Sequence, residues 1–77
     1  MSHDNLARMA NQIGQFFESM PDRKEALEGI ATHIKKFWAP SMRKNLLARL
    51  DGGEHGLTPI VLLAVTEHRA MLEPVTA

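Results

Sequence analysis

Apolar residues recur along this chain at helical spacing, and no segment sustains the apolar–polar alternation of a half-buried strand. With residues placed at about 100° intervals, Leu6, Met9, Ala10, Ile13, Phe16, Phe17 and Met20 fall in a stripe about 120° wide. Arg8, Asn11, Gln15 and Glu18 lie on the far side. The pattern predicts a core-facing amphipathic helix over about residues 4–20, with Asp4 or Asn5 as its N-cap. Pro21-Asp22 closes it and opens a second helix over about 22–38, where Asp22 and Glu25 stand at capping-box spacing. The second stripe holds Ala26, Leu27, Ile30, Ile34, Phe37 and Trp38, with Ala31 at its edge. Glu25, Glu28, Lys35 and Lys36 face away, acids near the start and lysines near the end, as the helix dipole favours.

Pro40 suits the first position of a third helix, expected over about 40–51, because its missing N–H is not needed there. Met42, Leu46, Leu47 and Leu50 share one side of it, and Arg43 falls between Leu47 and Leu50. Asp51-Gly52-Gly53-Glu54-His55-Gly56 reads as a turn, and Thr58-Pro59 as the start of a fourth helix over about 59–72. This last helix departs from the pattern. Leu62, Val65 and Leu72 make one apolar side, and Ile60, Leu63 and Met71 make another nearly opposite. Both sides cannot enter one small core, so Ile60, Leu63 and Met71 are expected to face a partner. Glu73-Pro74 stops the helix and leaves Val75-Thr76-Ala77 frayed. The expected fold is a small all-α bundle of about four helices, one domain over residues 1–77.

Size makes association with another chain the natural source of extra support. A domain of 77 residues buries only about 60–65% of its unfolded surface, and this one has no cysteine for disulfides or thiolate metal sites. Nine basic and nine acidic residues cancel, so net charge supplies no pull toward nucleic acid or anionic lipid. No apolar run reaches the roughly 18–20 residues of a membrane span, and the polar start Met1-Ser2-His3-Asp4-Asn5 is not a secretory signal. A cytoplasmic setting is expected.

Motifs for chemistry are missing from the sequence. His3, His33, His55 and His68 have no partner at metal-ligand spacing; His33 is expected half-buried at the rim of the second stripe and His55 solvated in its turn. The glycines form no phosphate loop, the serines no nucleophile elbow, and the acids are scattered over outward faces. Neither enzymatic activity nor a bound cofactor is expected. One charge feature stands out: Lys35, Lys36, Arg43, Lys44 and Arg49 occur with no acid between them and Trp38 in their midst. It reads either as two solvated helix ends and a turn, or as a basic docking surface. A small regulatory or nucleic-acid-binding protein using that surface is the alternative function, with nucleic acid the weaker version because the net charge is zero. Arg43 either snorkels with its head in water or pairs with a carboxylate. Asn11 and Gln12 are either plain polar surface or hydrogen-bond donors to a partner.

Several blocks resemble a known family in order and spacing. They are Arg8-Met9-Ala10-Asn11-Gln12-Ile13 with Phe16-Phe17, Pro21-Asp22-Arg23 with Ala26, and His33-Ile34 before Phe37-Trp38. Pro40, Met42-Arg43, Leu47, a glycine-containing turn and Leu57-Thr58-Pro59 follow. Together they resemble the delta subunit of cytoplasmic, NAD-dependent, molybdenum-containing formate dehydrogenases over about residues 5–70. Ala39 departs from the pattern, since an aspartate is expected before the proline; the third helix is left with a weaker cap. The resemblance implies an accessory subunit without a redox group, serving an enzyme whose alpha subunit carries the molybdenum cofactor and oxidises formate. It implies support of assembly, cofactor maturation or stability. It also makes Arg8, Asn11, Gln12, Trp38 and Arg43 candidate contacts to the alpha subunit, with Trp38 read as core or contact. Alone, such a chain is expected to self-associate through its exposed apolar surface.

Overall fold

A computed structural model describes residues 2–74, with side chains from Asn5 onward; the expected fraying of residues 75–77 lies outside the described residues. The fold is all-α. The helices are α1 (Ser2–Phe17), α2 (Arg23–Phe37), α3 (Pro40–Gly52), α4 (Pro59–Glu67) and a short α5 (Arg69–Leu72), with no strand among the described residues. α2 packs against α1, α4 and α5, and α3 against α1 and α5.

Proline and glycine punctuation sets most boundaries. Asp22 caps α2, its carboxylate accepting from the Glu25 amide at 3.2 Å. Pro40 and Pro59 sit in the first turns of α3 and α4. α3 starts at Ala39 with no side-chain cap, as the alanine there implies, and ends on Gly53 at φ 89°, a left-handed conformation that favours glycine. The expected caps of α1 are corrected, because Asp4 and Asn5 lie inside a helix that begins at Ser2. α1 also stops at Phe17, with Ser19 Oγ closing its last turn on the Phe16 carbonyl at 3.2 Å.

The expected fourth helix is two pieces. The chain leaves helical geometry at His68 (φ −110°, ψ 29°), and α5 follows as a single turn. Its buried apolar residues nonetheless form one face. Val61 and Ala64 fill the arc between Ile60 and Val65, giving a face about 140° wide at 100° per residue. Ile60, Val61, Ala64, Val65 and Leu72 are all buried along it. α4 is therefore a central helix of the core, surrounded by Ala10, Ile30, Ile34, Leu46 and their neighbours. Fully burying an Ile, Leu or Val side chain contributes about 1.5–3 kcal/mol, so these positions dominate stability.

Candidate partner-docking surface

The exposed apolar surface lies on α1 and α2, and its origin is a rotation of α1. The buried residues of α1 are Ala7, Ala10 and Gly14, a seam of small side chains. That seam is turned roughly 90° from the centre of the large-residue stripe, taking 100° per residue. Gly14 explains the choice. A Cβ at Gly14 would run into Val61 Cγ2 and lie 3.2 Å from Ile60 Cγ2, so α1 meets α4 backbone-close through it. Leu6, Met9, Ile13, Phe17 and Met20 are left as a half-buried shoulder, and Phe16 is 74% exposed.

α2 adds to the same side. Phe37 and Trp38 are consecutive and cannot both point inward: Trp38 is buried at the end of α2, and Phe37 is 71% exposed. Phe37 stacks at a tilt on the half-buried His33, with ring centroids 4.7 Å apart, and Phe16 meets Phe17 edge-on at 5.1 Å. Two shallow grooves share His33 and Phe37. One, about 400 Å³, is lined by Met9, Gln12, Ile13, Trp38 and Met42 as well. The other, about 560 Å³, adds Phe17, Met20, Glu25, Glu28, Gly29, Thr32 and Lys36. The grooves meet at His33 and Phe37 in a face that mixes apolar and charged residues, and Phe16 and Phe37 are exposed aromatics that the sequence pattern assigns to the core.

Arg8, Asn11 and Gln12 do come together, on a groove of about 550 Å³ that adjoins the first through Gln12 and also involves Gln15, Glu18, Arg49 and Thr58. Arg8 and Gln12 are exposed there. Asn11 is engaged within the chain: its Nδ2 donates to the Gly56 carbonyl at 3.0 Å, and its Oδ1 accepts from the Thr58 amide at 2.9 Å. One side-chain amide thus holds the loop before α4 against α1. His55 helps shape this loop, its Nδ1 accepting from the Leu57 amide at 3.0 Å, so it is half-buried and structural instead of solvated.

Three of the candidate contacts are buried within the chain, Trp38 in keeping with its reading as core. Ile60 is 2% exposed because it lies against the α1 seam, and Trp38 is 5% exposed. Arg43 is 8% exposed; its Nη1 donates to the Leu72 carbonyl over a long 3.4 Å, and its Nε has no partner among the described residues. The guanidinium makes no ion pair with a carboxylate among the described residues. It ties α3 to the carbonyl end of α5 instead. Of the remaining two, Leu63 is 41% exposed and Met71 is half-buried, so helix four offers a partner one leucine and part of a methionine.

The basic 35–49 segment does not form one surface. Lys36 lines the groove with Glu25 and Glu28, Arg49 that with Glu18, and Lys44 a third with Asp51, Arg69 and Glu73. Lys36, Lys44 and Arg49 each sit in a concavity that also holds a carboxylate, Lys35 is exposed, and Arg43 is buried. Nearby, Arg69 grips Asp51 with two bonds of 2.9 and 2.8 Å and Glu73 with one of 3.2 Å, joining α5 to α3. The Arg69 hydrogen bonds hold the Asp51 carboxyl below its usual range, and bonding to Asp51 and then Glu73 raises Arg69 further.

Among the described residues no three histidines and carboxylates converge as metal ligands, and no helix is long and apolar enough to cross a membrane. The arrangement can bury apolar surface against another protein and fix its register with charges. Neither curated proteins nor solved structures yielded a match. A family profile described as NADH-dependent formate dehydrogenase delta subunit FdsD matches residues 5–65, most of the helical fold. By that match, this chain belongs to the FdsD family of formate dehydrogenase delta subunits.

Proposed function

We propose that this chain is a non-catalytic subunit that docks on the alpha subunit of a cytoplasmic, NAD-dependent molybdenum formate dehydrogenase and supports its assembly, cofactor maturation or stability. The observation that carries the reading, beyond family membership, is the exposure of Phe16 on α1 and of Phe37 on α2. Aromatic side chains on a half-buried apolar shoulder are what the centre of a protein interface is built from. Met9, Ile13 and Met20 supply adaptable surface around them. Arg8 and Gln12, exposed at the border of α1, would fix register at the rim. Leu63 and Met71 form a second, smaller contact. Asn11 and Trp38 line the grooves while being held within the chain, and Arg43 supports α3 from inside.

Co-purification of the tagged chain with the alpha subunit tests this. The parent chain retains the alpha subunit, whereas a Phe16→Ser/Phe37→Ser variant with an unchanged helical spectrum retains at least tenfold less. Failure of the parent to retain it, with normal formate oxidation in cells lacking the chain, overturns the proposal.

A further inference from the structure

The outward face of α2 is charge-segregated along its length in a way that makes it complementary to itself. The groove on this face carries Glu25 and Glu28 toward the start of α2 and Lys36 toward its end, all exposed. Between them lies the half-buried Thr32, while Gly29 is covered by the Phe17 ring, which lies where its Cβ would be. The flank toward α1 holds the protruding Phe37 beside His33 at one end and Phe17 and Met20 from α1 at the other. Such a face laid parallel on a copy of itself opposes like charges. Laid antiparallel about a two-fold axis at Thr32, it opposes Lys36 of each copy to Glu28 of the other, four residues or about 6 Å either side of the axis. The same operation carries each Phe37 toward the Phe17–Met20 end of that flank on the other copy.

We propose that the free chain pairs with a second copy of itself through antiparallel α2 helices, covering Phe37 until a partner replaces the copy. This deepens the docking reading and rests on it for what displaces the copy; the pairing itself needs only this chain. The self-paired form is a reservoir that hides this face, and docking on the enzyme must compete with it. Opposite charges across a two-fold contact select the antiparallel arrangement and suppress the parallel one.

Sedimentation equilibrium of the purified full-length chain reads the pairing. A monomer–dimer equilibrium is expected that weakens as salt rises. Lys36→Glu and Glu28→Lys variants, each with parental helical spectrum, should each dimerise at least tenfold more weakly. An equimolar mixture of the two should form mixed dimers tighter than either variant alone. In a mixed dimer the introduced carboxylate of one chain meets the introduced ammonium of the other, while the untouched Glu28 and Lys36 also pair. A monomer at every concentration, assemblies larger than a dimer, or charge variants that dimerise like the parent would overturn the proposal. So would a mixture without preferential mixed dimers. Co-purification with formate dehydrogenase is scored separately. A monomeric chain that still binds the enzyme sinks self-pairing alone, and a dimer that never binds it sinks the docking reading alone.

Discussion

α4 and α1 are two helices whose sequences promise opposite things. α4 is apolar nearly all round and reads as a helix with surplus surface for a partner, yet its Ile60, Val61, Ala64 and Val65 are buried. α1 has a clean amphipathic stripe and reads as a helix with nothing to spare, yet it leaves Phe16 exposed and a half-buried shoulder beside it. The difference lies in who surrounds each helix. α4 is covered by α1, α2 and α5 together, so a wide apolar arc finds cover. α1 sits at the periphery and is drawn in by its smallest residues, because close backbone approach at Gly14 brings Ala7 and Ala10 onto α4 and the neighbouring loop. Close approach wins over large side chains where a glycine permits it.

The sharpest way to break this comparison is to cut the core helix. Ile60→Ala should cost about 2–5 kcal/mol in denaturant unfolding, the range for a buried isoleucine. At about 4–8 °C per kcal/mol for a domain of this size, the thermal midpoint falls by about 10 °C or more. An Ile60→Ala chain as stable as its parent would mean that α4 is not central. Gly14→Val tests the seam directly and should destabilise by about 1–3 kcal/mol through overpacking. Val61→Ala, which removes the obstructing methyl, should recover part of that loss in a double-mutant cycle.

Asn11→Ala removes both bonds that hold the loop to α1. A loss of about 1–2 kcal/mol is expected, with faster hydrogen exchange at the Thr58 amide as the specific readout. At the other pole of the comparison, Phe37→Ser should change stability by no more than about 0.5 kcal/mol, because the side chain is already in water. Its effect belongs to binding, so a large stability loss there would place Phe37 in the core after all.

The smallest effect concerns pH. Asp51 has its pKa lowered by the Arg69 hydrogen bond, so the pair contributes stability above the unfolded carboxylate value and loses it as pH falls through the lower folded one. Asp51→Asn should flatten that acid limb slightly, the pair being open to solvent. Thermal midpoints recorded from neutral to acid pH check the sign.

Punctuation is legible in the sequence: Pro21, Asp22, Pro40, Gly53 and Pro59 place the helices to within a few residues. Most of the α2 core is legible for the same local reason, since Ala26, Leu27, Ile30 and Ile34 recur at helical spacing. The docking face is not. A helical wheel ranks positions by side-chain size, whereas α1 packs by how close its backbone can come to α4, a property of two helices at once. The fourth helix misleads because its two apolar sides look separate until Val61 and Ala64, which join them, are counted as core. The Asn11 bonds and the burial of Arg43 depend on partners far along the chain, and local spacing carries no trace of them.

Asn11 and the Gly56 carbonyl it holds are 45 positions apart. At synthesis rates of about 5–20 residues per second, roughly 2–9 s separate their manufacture. During that interval the Ala7–Gly14 seam has no α4 to close on, and a chain interrupted there has no means of covering it. The seam on α1 is therefore closed by residues made long after it: Gly14 packs on Ile60 and Val61, and Asn11 bonds Gly56 and Thr58, so a chain truncated before α4 lacks the groups that cover it.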